Sequence, residues 1–94
     1  MLIYQVLASV PEGNVVTYGQ VAQLCGLGRG ARVVARALRN LPRGSKIPWY
    51  RVINAQGRIS IPGEGALKQQ EHLESEGVVF LSGSVDLKKY QWQP

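Results

Sequence analysis

The chain reads as a mainly α-helical single domain of winged helix-turn-helix type, with a small β-hairpin as its wing. Three observations predict this. Apolar residues recur at helical spacing in several segments, a glycine-rich turn joins two of those segments, and a turn of hairpin length sits between two short extended runs. At 94 residues without a linker-like stretch, residues 1–94 form one domain. A domain of this size buries only about two-thirds of its unfolded surface, so the core is small.

Leu2, Ile3, Val6, Leu7 and Val10 predict a first helix, which Pro11-Glu12-Gly13-Asn14 ends in a turn. Val15-Val16 reads as a short extended link. Thr17 is a good N-cap for a second helix carrying Val21, Ala22 and Leu24, and the glycines at 26, 28 and 30 end it. A third helix is expected over residues 31–40, with Val34 and Leu38 inward and Leu41 just beyond. Arg29, Arg32, Arg36, Arg39 and Arg43 step by three and four residues along another face. Pro42 stops this helix. Two helices across a tight glycine turn, the second one basic, form the helix-turn-helix pattern.

After the loop at 43–46, the segment from Ile47 to Ile53 turns extended past Pro48. Residues 54–57 make a turn between Arg51-Val52-Ile53 and Arg58-Ile59-Ser60, which predicts the wing. A fourth helix carrying Leu67, His72 and Leu73 ends at Gly77, and residues 78–81 read as a strand. Residues 82–94 are a polar tail, with Val85, Leu87, Tyr90 and Trp92 as packing points; order and flexibility there are both open readings.

Charge is placed unevenly. Eight of the eleven cations fall between Arg29 and Arg58, and no acidic residue occurs from Gly13 through Gly63. Such separation focuses a positive face, which suits a polyanion such as nucleic acid, while an ordinary solvated basic surface is the plain alternative. A single cysteine, Cys25, and a single histidine, His72, supply neither a disulfide nor a metal constellation, so no cofactor and no metal are expected. Cys25 reads as a small core residue. The apolar content of 45% suggests neither disorder nor a membrane span. Residues 1–10 lack a basic flank and a cleavage site, which leaves the cytoplasm as the expected compartment and a monomer as the expected state.

Four stretches, in order, then resemble one family, the DNA-binding and active-site domain of the O6-alkylguanine-DNA alkyltransferases. Residues 10–22 (VPEGNVVTYGQVA) resemble its Pro-x-Gly-x-Val-x-Thr-Tyr-Gly opening, and Gly30-Ala31-Arg32-Val33-Val34 resembles the start of its recognition helix. Pro48-Trp49-Tyr50-Arg51-Val52 stands where the family has Pro-Cys-His-Arg-Val, and Glu76-Gly77 matches the Glu-Gly closing its last helix. The resemblance runs from about Leu2 to Phe80.

The departures from the family matter most. Alkyl transfer needs a thiolate, a polarisable lone pair that can attack carbon. Trp49 has none to offer, since its indole nitrogen lone pair is delocalised into the ring. Tyr50 replaces the histidine that relays the proton. The pattern resembles the alkyltransferase-like branch, which carries tryptophan or another residue at the nucleophile position. The resemblance implies a protein that is no enzyme: it binds double-stranded DNA containing O6-alkylguanine, flips the base into a pocket, and hands the lesion to nucleotide excision repair. A winged helix-turn-helix regulator or architectural protein without lesion preference is the competing reading, and a divergent enzyme acting on the flipped base is a third, for which no general-base pair or nucleophile is visible.

The resemblance also assigns roles. Arg32 becomes the finger that replaces the extruded guanine, against a plain phosphate contact as the alternative. A planar guanidinium can offset part of the few kcal/mol that flipping costs. Tyr18 becomes the tyrosine that rotates the neighbouring phosphate, against an ordinary helix-start aromatic. Arg36, Arg39 and Arg43 are expected on phosphates, which position without reading sequence. The family lays its recognition helix in the minor groove. Trp49, Tyr50, Arg51, Pro62 and Gly63 are expected around the lesion pocket, with a core anchor as the alternative for Trp49, and holding the loop or meeting phosphate as equal alternatives for Arg51. Glu76 is expected in a structural hydrogen-bond network, since charge at a helix C-terminus needs compensation. Leu41 and Pro62-Gly63 stand where the transferases have an asparagine and a tyrosine-serine pair, which predicts a roomier pocket that accepts groups larger than methyl.

Overall fold

The computed structural model describes residues 2–42 and 44–94. Five α-helices are joined by short strand pairs: α1 Leu2–Ser9, β1 Val16–Thr17, α2 Tyr18–Leu24, α3 Ala31–Arg39, a 3₁₀ turn Trp49–Arg51, β2 Val52–Ile53, α4 Gly63–Ser75, β3 Phe80–Leu81, β4 Ser84–Val85 and α5 Leu87–Tyr90. The mainly helical architecture is the one the sequence predicts.

Thr17 belongs to β1 and also caps α2, its side chain accepting from the Gln20 N–H. α2 and α3 pack against each other across the glycine turn. Gly30, at the entry to α3, lies so close to Leu27 that an added Cβ would sit 2.8 Å from that residue's Cβ. The core forms two adjoining clusters. One gathers Ile3, Leu7 and Val10 with Val16, Val21, Ala22, Val34 and Val52 beneath the helix-turn-helix. The other joins Val15 and Ile53 to Leu73, Val78 and Val85. Cys25 packs half-buried against the first cluster.

The wing is not where the sequence reading places it. Residues 54–57 do form the turn, with the Asn54 N–H donating to the Arg58 carbonyl and Asn54 Oδ1 accepting from the Gln56 and Arg58 N–H groups. However, residues 58–60 form no strand. β2 pairs instead with β1, in parallel at Val16–Val52 and Thr17–Ile53. Gly57, with φ of +77°, turns its carbonyl to the Val85 N–H at 2.8 Å, and a Cβ there would strike the Val85 oxygen. The antiparallel hairpin is instead β3–β4, Phe80 opposite Val85.

The tail is part of the fold. The Val15 N–H donates to the Tyr90 carbonyl, the Trp92 N–H donates to the Val15 carbonyl, and Gln20 Nε2 donates to the Trp92 carbonyl. Residues 90–92 thus strap β1 and α2 from outside. Among the described residues, no helix is long and apolar enough to cross a membrane.

Candidate nucleic-acid interface and base pocket

The parallel pairing of β1 with β2 builds the site. It sets Tyr18, the residue after β1, beside the Trp49–Arg51 turn that precedes β2. α3 closes the third side, and residues 60–62 with α4 close the fourth. Between them opens a cavity of about 680 Å³, lined mainly by apolar atoms. Tyr18, Arg32, Arg39, Trp49 and Pro62 all stand on its wall. These five come from four separate stretches of sequence.

The wall also contains Ile61, Ala35, Leu38, Ser60, Asn54 and Gln69, none of which the sequence reading placed at the site. Gln69 was the one with a visible signal. It falls four residues before Leu73, on the inward stripe of α4, where a polar side chain must find partners. Leu41 faces a smaller cavity of about 240 Å³ beside the first, and Trp49 and Leu38 border both. Where the transferases carry an asparagine, this chain therefore presents an aliphatic side chain one wall away from the main cavity.

Arg32 and Arg36 are exposed on α3, as are Arg39 and, in the turn before it, Arg29. The helix thus shows an unbroken basic face, with Val34 buried on the opposite side. Arg43, expected on the same stripe, lies outside the described residues.

Tyr50, Arg51 and Gly63, expected around the lesion pocket, are not among the residues that line this cavity. Gly63 opens α4 with φ of +66° and faces outward. Tyr50 and Arg51 turn away from the cavity toward Glu76. Arg51 Nε donates to Glu76 Oε1 at 3.0 Å, Nη2 donates to Oε2 at 2.6 Å, and Nη1 donates to the Val10 carbonyl at 2.8 Å. All three guanidinium nitrogens are engaged, and the side chain is 11% exposed, so Arg51 brackets the turn. Glu76 also accepts from the Gly13 N–H and from the Tyr50 hydroxyl. The exposed His72 ring stacks on Tyr50 at 4.4 Å.

Burial by itself would raise the Glu76 carboxyl. The bonds from Arg51, Gly13 and Tyr50 outweigh it and hold the carboxyl below the ordinary range. Tyr50 is raised, first by burial and then by its bond to the carboxylate. Arg51 is raised by its bond to Glu76. The network therefore carries a fixed ion pair and a neutral phenol.

Among the described residues no group of histidine, cysteine and carboxylate side chains is placed to hold a metal ion.

A two-helix unit with a basic outer face, beside a mainly apolar cavity, defines a helix-turn-helix domain built around a pocket. The family described as 6-O-methylguanine DNA methyltransferase, DNA binding domain, matches residues 1–78, and the chain belongs to that family. It is 48% identical over 93 residues to a DNA base-flipping protein of Vibrio parahaemolyticus, covering 98% of this chain and 93% of that one. Over 99 residues it is 35% identical to Alkyltransferase-like protein 1 of Schizosaccharomyces pombe, covering 98% and 92%. The crystal structure of S. pombe Atl1 in complex with damaged DNA containing O6-carboxymethylguanine matches with a TM-score of 0.92 at 34% identity, covering 99% of this chain and 93% of that one. Mycobacterium tuberculosis OGT in complex with DNA matches with a TM-score of 0.72 at 31% identity, covering 79% and 46%. This chain is thus similar both to a protein bearing the alkyltransferase-like name and to an alkyltransferase.

Proposed function

We propose that this protein binds duplex DNA containing O6-alkylguanine, extrudes the modified base into the cavity beside Trp49, and leaves it unrepaired. The observation that carries the reading is Trp49 itself. It stands on the wall of the apolar cavity, at the position that by resemblance holds the cysteine of the family's transferases, with Arg32 and Tyr18 on the same cavity.

Each residue has a part in this reading. Arg32 fills the gap in the stack and faces the orphaned cytosine. Its guanidinium is planar and always charged, so it stacks and hydrogen-bonds where lysine would do so poorly. Tyr18 crowds the phosphate beside the target nucleotide. Arg36, Arg39 and Arg43 sit on neighbouring phosphates and fix register without reading sequence. Trp49 and Pro62 meet the base and its alkyl group with apolar surface. Arg51 and Glu76 hold the turn that presents Trp49. The indole offers no available lone pair at neutral pH, so the alkyl group stays on the base and the protein shields or flags it. Handover to nucleotide excision repair in the cytoplasm, by a monomer on the DNA, completes the proposal. It rests on the resemblance to the alkyltransferase-like branch.

The test is a titration of a duplex holding one O6-methylguanine against its unmodified twin at two salt concentrations. With about four to six phosphates neutralised, both affinities should fall with a log-log slope of roughly −4 to −5. The ratio between the two duplexes should stay constant with salt and favour the lesion. Equal binding of the two would leave an ordinary helix-turn-helix DNA binder, and loss of the methyl group from the DNA would make the protein an enzyme.

A further inference from the structure

Gln69 is one of two buried polar side chains among the described residues, and it is 1% exposed. Its Nε2 donates to the Tyr50 carbonyl at 2.9 Å and to the Val52 carbonyl at 2.7 Å. An amide nitrogen has two hydrogens, and both are used. Two carbonyls at these distances also fix the amide the right way round, because the opposite orientation would set three oxygens against one another. Oε1 is then left as a pure acceptor. It has no hydrogen-bond partner among the described residues, yet none of their fully enclosed side-chain oxygens or nitrogens lacks a partner. Oε1 must therefore keep contact with open space, and the open space beside Gln69 is the cavity.

We infer that Gln69 Oε1 is the acceptor that reads the exocyclic 2-amino group of the extruded base. This rests on the proposed function and deepens it. Alkylation at O6 fixes the guanine ring without a hydrogen on N1, and N9 is bonded to the sugar. The 2-amino group is then the base's sole N–H donor. An acceptor held in place by the two bonds of its own amide nitrogen, on a mainly apolar wall, matches that donor. Adenine carries its amino group at the six position, where the lesion has its alkoxy group. An adenine seated in the same way would leave Oε1 unpaired, and a buried unpaired acceptor counts against binding. Gln69 thus adds a guanine test to a cavity whose apolar wall accepts the alkyl group.

A base-deletion cycle tests this. Binding is measured for duplexes carrying O6-methylguanine, O6-methylhypoxanthine (the same base without its 2-amino group) and guanine, with the native protein and with Gln69→Lys. An ammonium supplies donors for both carbonyls but has no acceptor, so this variant keeps the bracing and loses the reading. The native protein should lose about three- to tenfold in affinity, relative to the variant, when the 2-amino group is removed. Equal loss in both proteins would reduce Gln69 to a structural brace and overturn the inference. If Gln69→Lys does not fold, as judged by its thermal transition, the native protein still decides: equal or tighter binding of O6-methylhypoxanthine overturns the inference, and weaker binding supports it. A native protein that binds O6-methylguanine no better than guanine would instead overturn the proposed function beneath it.

Discussion

Arg51 and Glu76 meet in a two-point pairing, Nε to Oε1 at 3.0 Å and Nη2 to Oε2 at 2.6 Å, that ties the turn presenting Trp49 to the C-cap of α4. Side-chain exposures of 11% and 8% place the pair largely out of water. Removing one partner of such a pair leaves the other charged and poorly solvated. Glu76→Ala should therefore cost about 3 kcal/mol of unfolding free energy, measured by urea denaturation. Arg51→Met should cost less, because it removes the charge and keeps much of the packing, while leaving Glu76 two of its donors. Equal stability of Glu76→Ala and the native protein would remove the pair from any supporting role.

The same carboxylate sets the acid limit. Its folded pKa lies below the unfolded glutamate value of about 4.3, so its contribution is fully present above that value and is lost as pH falls through the lower folded one. Stability of the native protein should decline on acidification below about pH 4.3, and Glu76→Gln should flatten that part of the profile. Thermal transitions recorded across acidic pH check it, and parallel profiles for the two proteins would assign the acid loss to other groups.

Arg32 is exposed and borders the cavity, so its removal should leave the fold intact and act on extrusion. With a fluorescent base analogue at the lesion position, Arg32→Ala should show a reduced extrusion signal and weaker lesion binding. Arg36→Ala should weaken modified and unmodified duplexes alike, and should reduce the salt slope by about one. An extrusion signal unchanged in Arg32→Ala would return that residue to the ordinary phosphate stripe.

Much of this architecture was legible in the sequence, because short-range chemistry sets it. Thr17 as a cap, the glycines between α2 and α3, and the arginine spacing on α3 are all read within one or two helical turns. The wing was not legible. The run 51–60 has the local pattern of a hairpin, but β2 pairs with β1, some thirty-five residues earlier, and Gly57 bonds to Val85, nearly thirty residues later. Pairing across such separations is a long-range matter that period and turn chemistry do not report. The tail stayed open in the sequence for the same reason: Tyr90 and Trp92 are held by backbone bonds to Val15, not by a pattern of their own. At the site, motif matching located Tyr18, Arg32 and Trp49 on one cavity, whereas Tyr50 and Arg51, their sequence neighbours, point the other way because the 3₁₀ turn rotates successive side chains apart.

The cavity beside Trp49 is about 680 Å³, far more than a methylated base fills, and Leu41 borders a second space behind the same indole. Duplexes carrying O6-benzylguanine should therefore bind at least as well as those carrying O6-methylguanine, since the added apolar surface leaves water at about 25 cal/mol per Å². Competition titration between the two duplexes checks this. Rejection of the benzyl adduct to the level of unmodified DNA would mean that the cavity narrows when DNA is bound.

Trp49→Cys offers the sharpest view of the chemistry. Transfer requires a sulfur lone pair to form a bond to the alkyl carbon while the carbon–O6 bond breaks and the departing guanine takes up a proton. A thiol introduced at 49 would still need to lose its own proton first. Tyr50, which stands where the family's histidine relays that proton, donates its hydroxyl hydrogen to Glu76 and is held above its ordinary pKa by burial and by that bond. At neutral pH it is a protonated phenol, donating to Glu76 and accepting from Arg51 Nη2, and it takes up no proton from the thiol. Trp49→Cys should therefore bind the lesion and leave the alkyl group on the DNA, as read by mass spectrometry of protein and oligonucleotide after mixing. Adding Tyr50→His should give detectable alkylated protein. Transfer by the single variant would show that the thiol finds another route for its proton, and that Tyr50 is not the block.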